Sequence, residues 1–122
     1  MKFVISSMWV DSFSLTRTTE KTSDGKEFTM SVDTAVDYNT KDKRSFRLAL
    51  SIKLIKNEKF IFNVSQMAVV KFDRDISETD AHEELTTAIV VNTLYPYARA
   101  FTIATTRLAG YNDINLPLVI AE

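Results

Sequence analysis

The feature of this 122-residue sequence that most constrains its fold is a regular alternation of apolar and polar residues over residues 44–56 and 59–72. Side chains point alternately to the two faces of a β-strand, so each stretch predicts a strand with one apolar face. The apolar positions of the first stretch are Phe46, Leu48, Leu50, Ile52 and Leu54. Those of the second include Phe60, Phe62, Val64, Ala68, Val70 and Phe72. The short connection between the two stretches predicts an antiparallel hairpin.

Two more strands are predicted nearer the N-terminus, over residues 2–15 and 27–38. The later strand has one apolar face, whereas the earlier one is apolar on both. Simple alternation from Phe3 places Trp9 on one face of the first strand and Met8 and Val10 on the other. A strand with two apolar faces indicates either burial on both sides or contact with a partner.

The spacing of apolar residues changes to three and four after Asp73, which predicts a helix over about residues 78–109. Ser77 favours a helix start, and Gly110 favours a stop. Pro96 has no amide hydrogen, so a kink or break is expected near residues 92–96. Residues 111–122 are predicted to pack back in extended form.

Four strands followed by a helix predict a single α+β domain over residues 1–122. In this domain a long, kinked helix packs on one face of a four-stranded antiparallel sheet.

The composition argues against several functional classes. A net charge of −1, with both signs mixed along the chain, lacks the basic surface that nucleic-acid binding requires. The sequence contains no cysteine, which excludes disulfides and thiolate chemistry and favours a reducing compartment. Neither a signal peptide nor a membrane-spanning run can be recognised, so we expect a cytoplasmic protein without membrane association.

Catalytic chemistry is not expected either. His82 is the sole histidine, and it lies near Asp80 and Glu83 at the predicted helix start, where a single imidazole is usually solvated. No Ser-His-Asp arrangement and no glycine-rich phosphate loop can be recognised. We therefore predict a protein that is not an enzyme and has no catalytic residues, no metal site and no cofactor.

A short motif in the predicted helix is more specific. The run Leu94-Tyr95-Pro96-Tyr97-Ala98-Arg99 closely resembles the Leu-Phe-Pro-Tyr-Ala-Arg core of the bacterial export chaperone SecB. Downstream, Leu108-Ala109-Gly110-Tyr111 and Ile114-Asn115-Leu116-Pro117 look like the family's Arg-Gly-Thr-Phe-Pro and Leu-Asn-Leu-Ala-Pro stretches at a similar spacing. Val32-Asp33-Thr34-Ala35 resembles a Leu-Asp-Thr-Ala segment of the family's second strand. The resemblance extends over nearly the whole chain and is strongest in residues 94–117.

The resemblance implies an ATP-independent chaperone that holds unfolded polypeptide in apolar grooves between sheet and helix. It also implies a homodimer or homotetramer assembled through the first strand and the helix. SecB continues beyond the position of Glu122 into a second amphipathic helix. Of the acidic residues with which SecB contacts the motor ATPase SecA, Asp11 has a counterpart here, while others correspond to Leu15 and Asn63. These departures favour a divergent SecB-like binder of one dedicated client, such as an antitoxin, over a chaperone that serves export through SecA.

The candidate residues for client binding or an oligomer interface are apolar or lie in the motif: Val4, Met8, Trp9, Val10, Ile61, Met67, Val69, Tyr95, Tyr97, Arg99 and Phe101. For the strand residues, self-association is the first interpretation, client binding the second, and coverage by the chain's own C-terminal segment the third. Tyr95 and Tyr97 could instead pack on the sheet, and Arg99 could be solvated. A non-catalytic dimeric adaptor that binds one folded partner is the alternative function.

Overall fold

The computed structural model, which describes residues 2–120, contains four strands followed by two helices. The strands are β1 (Phe3–Arg17), β2 (Phe28–Tyr38), β3 (Ser45–Lys56) and β4 (Phe60–Phe72), and the helices are α1 (Glu78–Leu85) and α2 (Ala88–Leu108). The strands form one antiparallel sheet in the order β1-β4-β3-β2. The predicted α+β class with a four-stranded antiparallel sheet is therefore confirmed.

The β3–β4 hairpin forms the centre of the sheet, as the alternation predicts. At its turn, the amide of Lys59 donates to the carbonyl of Lys56 at 3.0 Å, and Glu58 adopts a left-handed conformation with φ of 56°. The apolar positions of both strands pair directly across the hairpin, for example Leu54 opposite Phe62. All of these positions face the helices and are buried.

The connection between β1 and β2 carries the chain from one edge of the sheet to the other. It passes the β3–β4 turn, where three backbone hydrogen bonds of 2.8–3.1 Å join residues 18–27 to Asn57, Glu58 and Lys59. A short 3-10 turn, Ser23–Gly25, lies within this connection. As a result, the two strands predicted first in the sequence form the two outer edges of the sheet.

Two bulges in β1 correct the simple alternation predicted for this strand. The pairing of β1 with β4 shifts between Ile5 and Ser7 and again between Val10 and Ser12. Each bulge inserts one extra residue and therefore inverts the alternation that follows it. Met8 and Val10 consequently lie on the same face as Phe3 and Ile5, towards the helices. The sequence-based assignment of Met8 and Val10 to the opposite face was wrong.

The predicted helix over residues 78–109 is two helices, and its interruption lies earlier than expected. Thr86 ends α1, with its amide and hydroxyl both donating to the carbonyl of His82. Thr87 begins α2 and accepts a hydrogen bond from the amide of Val90. Threonine hydroxyls form hydrogen bonds with helix backbone groups in this way, so threonine is favoured at the ends of helices.

Pro96 lies inside α2 and does not end it, so of the kink or break expected near residues 92–96 the break is wrong. The missing amide of a proline removes one helix hydrogen bond. Here Leu94, Tyr95 and Ala98 are completely buried beside it, and this packing holds the helix together. The missing amide of Pro96 favours a break at this point, and the tertiary contacts of its buried neighbours prevent it.

α2 packs against β4 and β3, and α1 packs against the end of β2. Beyond α2, residues 111–120 have no regular secondary structure and return along the helix, with Ile114 and Leu116 buried. Extended packing of this segment is what the sequence predicted for the described part of residues 111–122.

Replacing Leu50 by alanine tests the central role of the hairpin. The side chain is completely buried in β3, so Leu50→Ala should lower the free energy of unfolding by about 2–5 kcal/mol, because apolar contacts are lost and a cavity remains. Leu108→Ala removes the same atoms from an exposed position and should change stability by less than about 0.5 kcal/mol. Urea unfolding followed by circular dichroism measures both. Equal losses in the two variants would contradict the assignment of Leu50 to the core.

Candidate functional site

The helices cover the two central strands and leave both edges of the sheet partly exposed on the same face. On β2, alternate apolar side chains such as Met30, Val32 and Val36 are half-buried. On β1, Met8 and Val10 are half-buried as well, and Phe13 is 56% exposed. The molecule therefore presents two apolar strips, one on each side of the helical layer.

The strip at β1 continues onto α2. The ring of Phe13 meets that of Phe101 edge-on, with 5.1 Å between their centroids. Tyr97 and Leu108 lie four residues before and seven residues after Phe101, which places all three on one flank of the helix. Tyr97 is 59% exposed and Leu108 is 90% exposed. We call these four residues, Phe13, Tyr97, Phe101 and Leu108, the β1–α2 surface.

The opposite, outer face of the sheet carries a second apolar feature. Trp9 lies opposite Met67, Met67 opposite Ala49, and Ala49 opposite Ala35, so these residues form one row across all four strands. The indole nitrogen of Trp9 donates to the carboxylate of Asp11 at 3.2 Å. Met67 is buried although it lies outside the main core.

The predicted candidates are thus divided between two faces. Met8, Val10, Tyr97 and Phe101 lie on the helix side, while Val4, Trp9, Ile61, Met67 and Val69 lie on the outer face. Val4 is well exposed, and Ile61 and Val69 are half-buried. Sequence reasoning missed Phe13, which pairs with Val64 of β4 and lies on the helix side, the face on which alternation from Phe3 also places it.

Tyr95, for which the sequence left open a groove or interface position and packing on the sheet, belongs to the core. Its side chain is completely buried, and its hydroxyl donates to the carbonyl of Pro117 at 2.7 Å. Burial raises the pKa of the Tyr95 hydroxyl above its usual range, an effect that the nearby Arg99 guanidinium partly opposes. Arg99 is half-buried, and its Nε donates to the carbonyl of Leu116 at 3.3 Å.

Asn92 completes this set of contacts between α2 and residues 116–120. Its amide nitrogen donates to the carbonyl of Ile120 at 3.0 Å, and its amide oxygen accepts from the backbone nitrogen of Ile120 at 2.7 Å. Three side chains of α2 therefore bind backbone groups of the returning segment. The two sequence blocks that carry the SecB resemblance contact each other, which gives the motif a structural role.

A buried lysine fixes the start of the same segment. The ammonium of Lys56 lies 3.1 Å from the carboxylate of Asp113 and 3.8 Å from that of Glu27. The hydrogen bond from Lys56 holds the pKa of the Asp113 carboxyl below its usual range. Sequence reasoning did not single out Lys56, although it occupies the next position on the apolar face after Leu54, a signal that could have revealed its burial.

His82 lies on α1 beside a cavity of about 410 Å3. The floor of the cavity is formed by Val36, Tyr38 and Phe46, and the rim includes Glu78 and Glu83. Within residues 2–120, no cluster of three or more His, Asp or Glu side chains is arranged to hold a metal ion. No helix in this described range is long and apolar enough to cross a membrane.

The sheet order, the helical layer and the returning segment together define a SecB-like fold. A solved structure of the Mycobacterium tuberculosis SecB-like chaperone Rv1957, in complex with a ChAD peptide from the Rv1956 HigA1 antitoxin, superposes on this chain with a TM-score of 0.79. The two are 15% identical, and the match covers 97% of this chain and 88% of that one. No protein-family model and no curated protein sequence matches the chain. The SecB-like fold predicted from residues 94–117 is confirmed.

Removing the Tyr95 hydroxyl tests its contact with Pro117. Tyr95→Phe should lower the free energy of unfolding by about 1–3 kcal/mol at pH 8, since a carbonyl in the packed segment loses its donor. Because the pKa of Tyr95 is raised in the folded state, its contribution is fully present below the unfolded pKa of about 10 and is lost as pH rises further. Tyr95→Phe has no hydroxyl to ionise, so its free energy of unfolding should not show this part of the fall above pH 10.

Denaturant unfolding at pH 8 and above pH 10 measures both effects. Tyr97→Phe is the matched control, because it removes an exposed hydroxyl from the same motif. Identical behaviour of the two variants would show that the Tyr95 hydroxyl does not anchor the segment.

Proposed function

We propose that this protein is an ATP-independent chaperone that binds unfolded or non-native polypeptide through its apolar surfaces, without catalysis. The observation that carries the proposal is the incomplete cover of the helix side of the sheet. Phe13 and Tyr97 are more than half exposed at its margin, and Phe101 lies between them. Contiguous exposed apolar surface of this kind is typical of sites that bind other polypeptides.

The SecB-like fold supports the same interpretation, because a chaperone of this fold has been solved in complex with an antitoxin-derived peptide. We therefore propose a protein client for this chain, either one dedicated partner such as an antitoxin or a wider set of exported proteins. Asp11 is exposed on a bulge of β1 and binds Trp9, so it is accessible to a partner such as SecA. The other two corresponding positions carry no charge, since Asn63 is neutral and Leu15 packs against the core, and this favours the dedicated client in the cytoplasm.

A holdase assay tests the chaperone function. The purified protein should slow the aggregation of reduced insulin and of thermally unfolded citrate synthase, because its apolar surface would cover theirs. The double variant Phe13→Ser, Tyr97→Ser should lose most of this effect, a several-fold change in the aggregation rate. Leu118→Ser, which changes another exposed apolar residue, is the control.

Failure of the unchanged protein to protect either client would exclude a general chaperone. Purification from the native host then separates the remaining possibilities. One stoichiometric folded partner would favour the non-catalytic adaptor, and many substoichiometric partners would favour the chaperone.

We also propose that the protein self-associates as a homodimer or homotetramer. Val4 and Trp9 on the outer face, together with the exposed flank of α2, supply apolar surface for this contact. Light scattering at micromolar concentration should give a mass of at least about twice the 13.9 kDa of one chain. A mass of one chain would contradict self-association, while leaving the holdase prediction to its own test.

A further inference from the structure

The outer face of the sheet carries an ordered pattern, in which two apolar rows enclose two polar rows. Each row crosses all four strands through directly paired residues, and neighbouring rows are two residues apart along β2, β3 and β4. The first apolar row is the one described above, Trp9, Met67, Ala49 and Ala35. The two polar rows are Ser12, Ser65, Ser51 and Asp33, followed by Ser14, Asn63, Lys53 and Ser31. The second apolar row has Ile61 and Ile55 at its centre, between Thr16 and Thr29.

Asp33 and Lys53 are the two charged residues in these four rows. Both are exposed, and they stand one in each polar row, on the neighbouring strands β2 and β3. Neither forms an ion pair with another residue of the described range 2–120. The four rows therefore carry no net charge, and the two opposite charges are equally far from the line that separates the polar rows.

We propose that a second copy of this chain packs face to face on this surface, about a two-fold axis that crosses the strands between the two polar rows. Rotation about this axis exchanges the rows, so that each apolar row meets the other apolar row of the partner. Met67 then lies over the partner's Ile61, and Ile61 lies over the partner's Met67. In the same arrangement Lys53 lies beside the partner's Asp33, and this contact also occurs twice.

The inference rests on the proposed self-association and specifies its surface and its symmetry. The contact is different from the first-strand and helix contacts that the SecB resemblance implies. A second copy is favoured over an unrelated protein, because one sequence supplies both halves of the complementarity. A strongly charged partner would find no excess of opposite charge on these rows.

The surface is large enough for a specific contact. Strands lie about 4.8 Å apart and the rows about 6.7 Å apart, so the four rows cover about 500 Å2 on each chain. A total of about 1,000 Å2 is at the lower limit for a specific interface, which predicts a weak, reversible dimer. The serines and alanines let the two sheets approach to the usual separation of about 10 Å. A hollow of about 510 Å3 above the polar rows leaves room for the partner's Lys53 side chain.

Charge reversal tests the two-fold contact. Lys53→Asp alone and Asp33→Lys alone should each weaken self-association at least about tenfold, because each dimer then contains two like-charged contacts. An equimolar mixture of the two variants should regain the affinity of the unchanged protein to within about threefold, since both contacts again join a lysine with an aspartate. Sedimentation velocity across the micromolar range measures these affinities with the full-length protein.

Lys41→Asp is the matched control, because Lys41 is exposed in the loop between β2 and β3, outside the four rows. This variant should associate with an affinity within about twofold of that of the unchanged protein. Equal weakening by Lys53→Asp and Lys41→Asp, or no recovery in the mixture, would overturn the two-fold contact.

Trp9, the sole tryptophan of the chain, provides an independent measurement. Its side chain is 36% exposed, and in the proposed dimer it lies over the partner's Thr16. Dilution should therefore move its fluorescence emission to longer wavelength and increase quenching by acrylamide, because the indole returns to water. An emission that stays constant while sedimentation shows dissociation would place the contact elsewhere.

The same measurements separate this inference from the proposed self-association. An oligomer that is insensitive to both charge reversals would leave self-association in place, through β1 and the flank of α2, and would refute the outer-face contact. A protein that stays monomeric at every concentration would refute both. The holdase assay is independent of either result.

Discussion

Burial of the helix-facing side of β3 and β4 is the interaction on which the rest of the structure depends. The hairpin supplies the largest continuous set of buried side chains, and α2 packs directly on it. Apolar surface removed from water contributes most of the favourable free energy of folding. Because α2 packs on the two central strands and α1 only on the end of β2, the two edges retain partly exposed apolar residues. The surface proposed to bind clients is thus a consequence of how the core is built.

The returning segment completes the core and explains the SecB resemblance. Tyr95 and Asn92 form hydrogen bonds with backbone groups of residues 117 and 120. Without them, these groups would lack a hydrogen-bond partner in a packed environment. Lys56 and Asp113 fix the start of the segment by a partly buried ion pair. The motif therefore holds two parts of one chain together, and residues shared with SecB in this block report on fold. Under the proposed function, client contacts would fall on residues outside this block, such as Phe13.

The two edge strands differ in regularity, and both carry apolar residues on which the proposed function depends. Two bulges divide β1, and beyond the second bulge Phe13 lies on the helix side, next to Phe101. β2 is regular and acidic on its outer face, and its helix side remains half-buried. Both margins of the helical layer therefore carry partly exposed apolar side chains.

The sequence by itself determined the class of fold, the central hairpin and the family likeness, because alternation and helical spacing are local patterns that reflect burial directly. The alternation in β3 also indicated that Lys56 is buried, because Lys56 occupies the next position on the apolar face after Leu54. Only the tertiary structure decided the faces of Met8 and Val10, since a bulge is set by pairing with the neighbouring strand. It likewise decided that Tyr95 is buried and that α2 continues through Pro96. In each case, packing against residues that are distant in the sequence outweighs the local preference. A pattern read over a few neighbouring residues does not include those contacts.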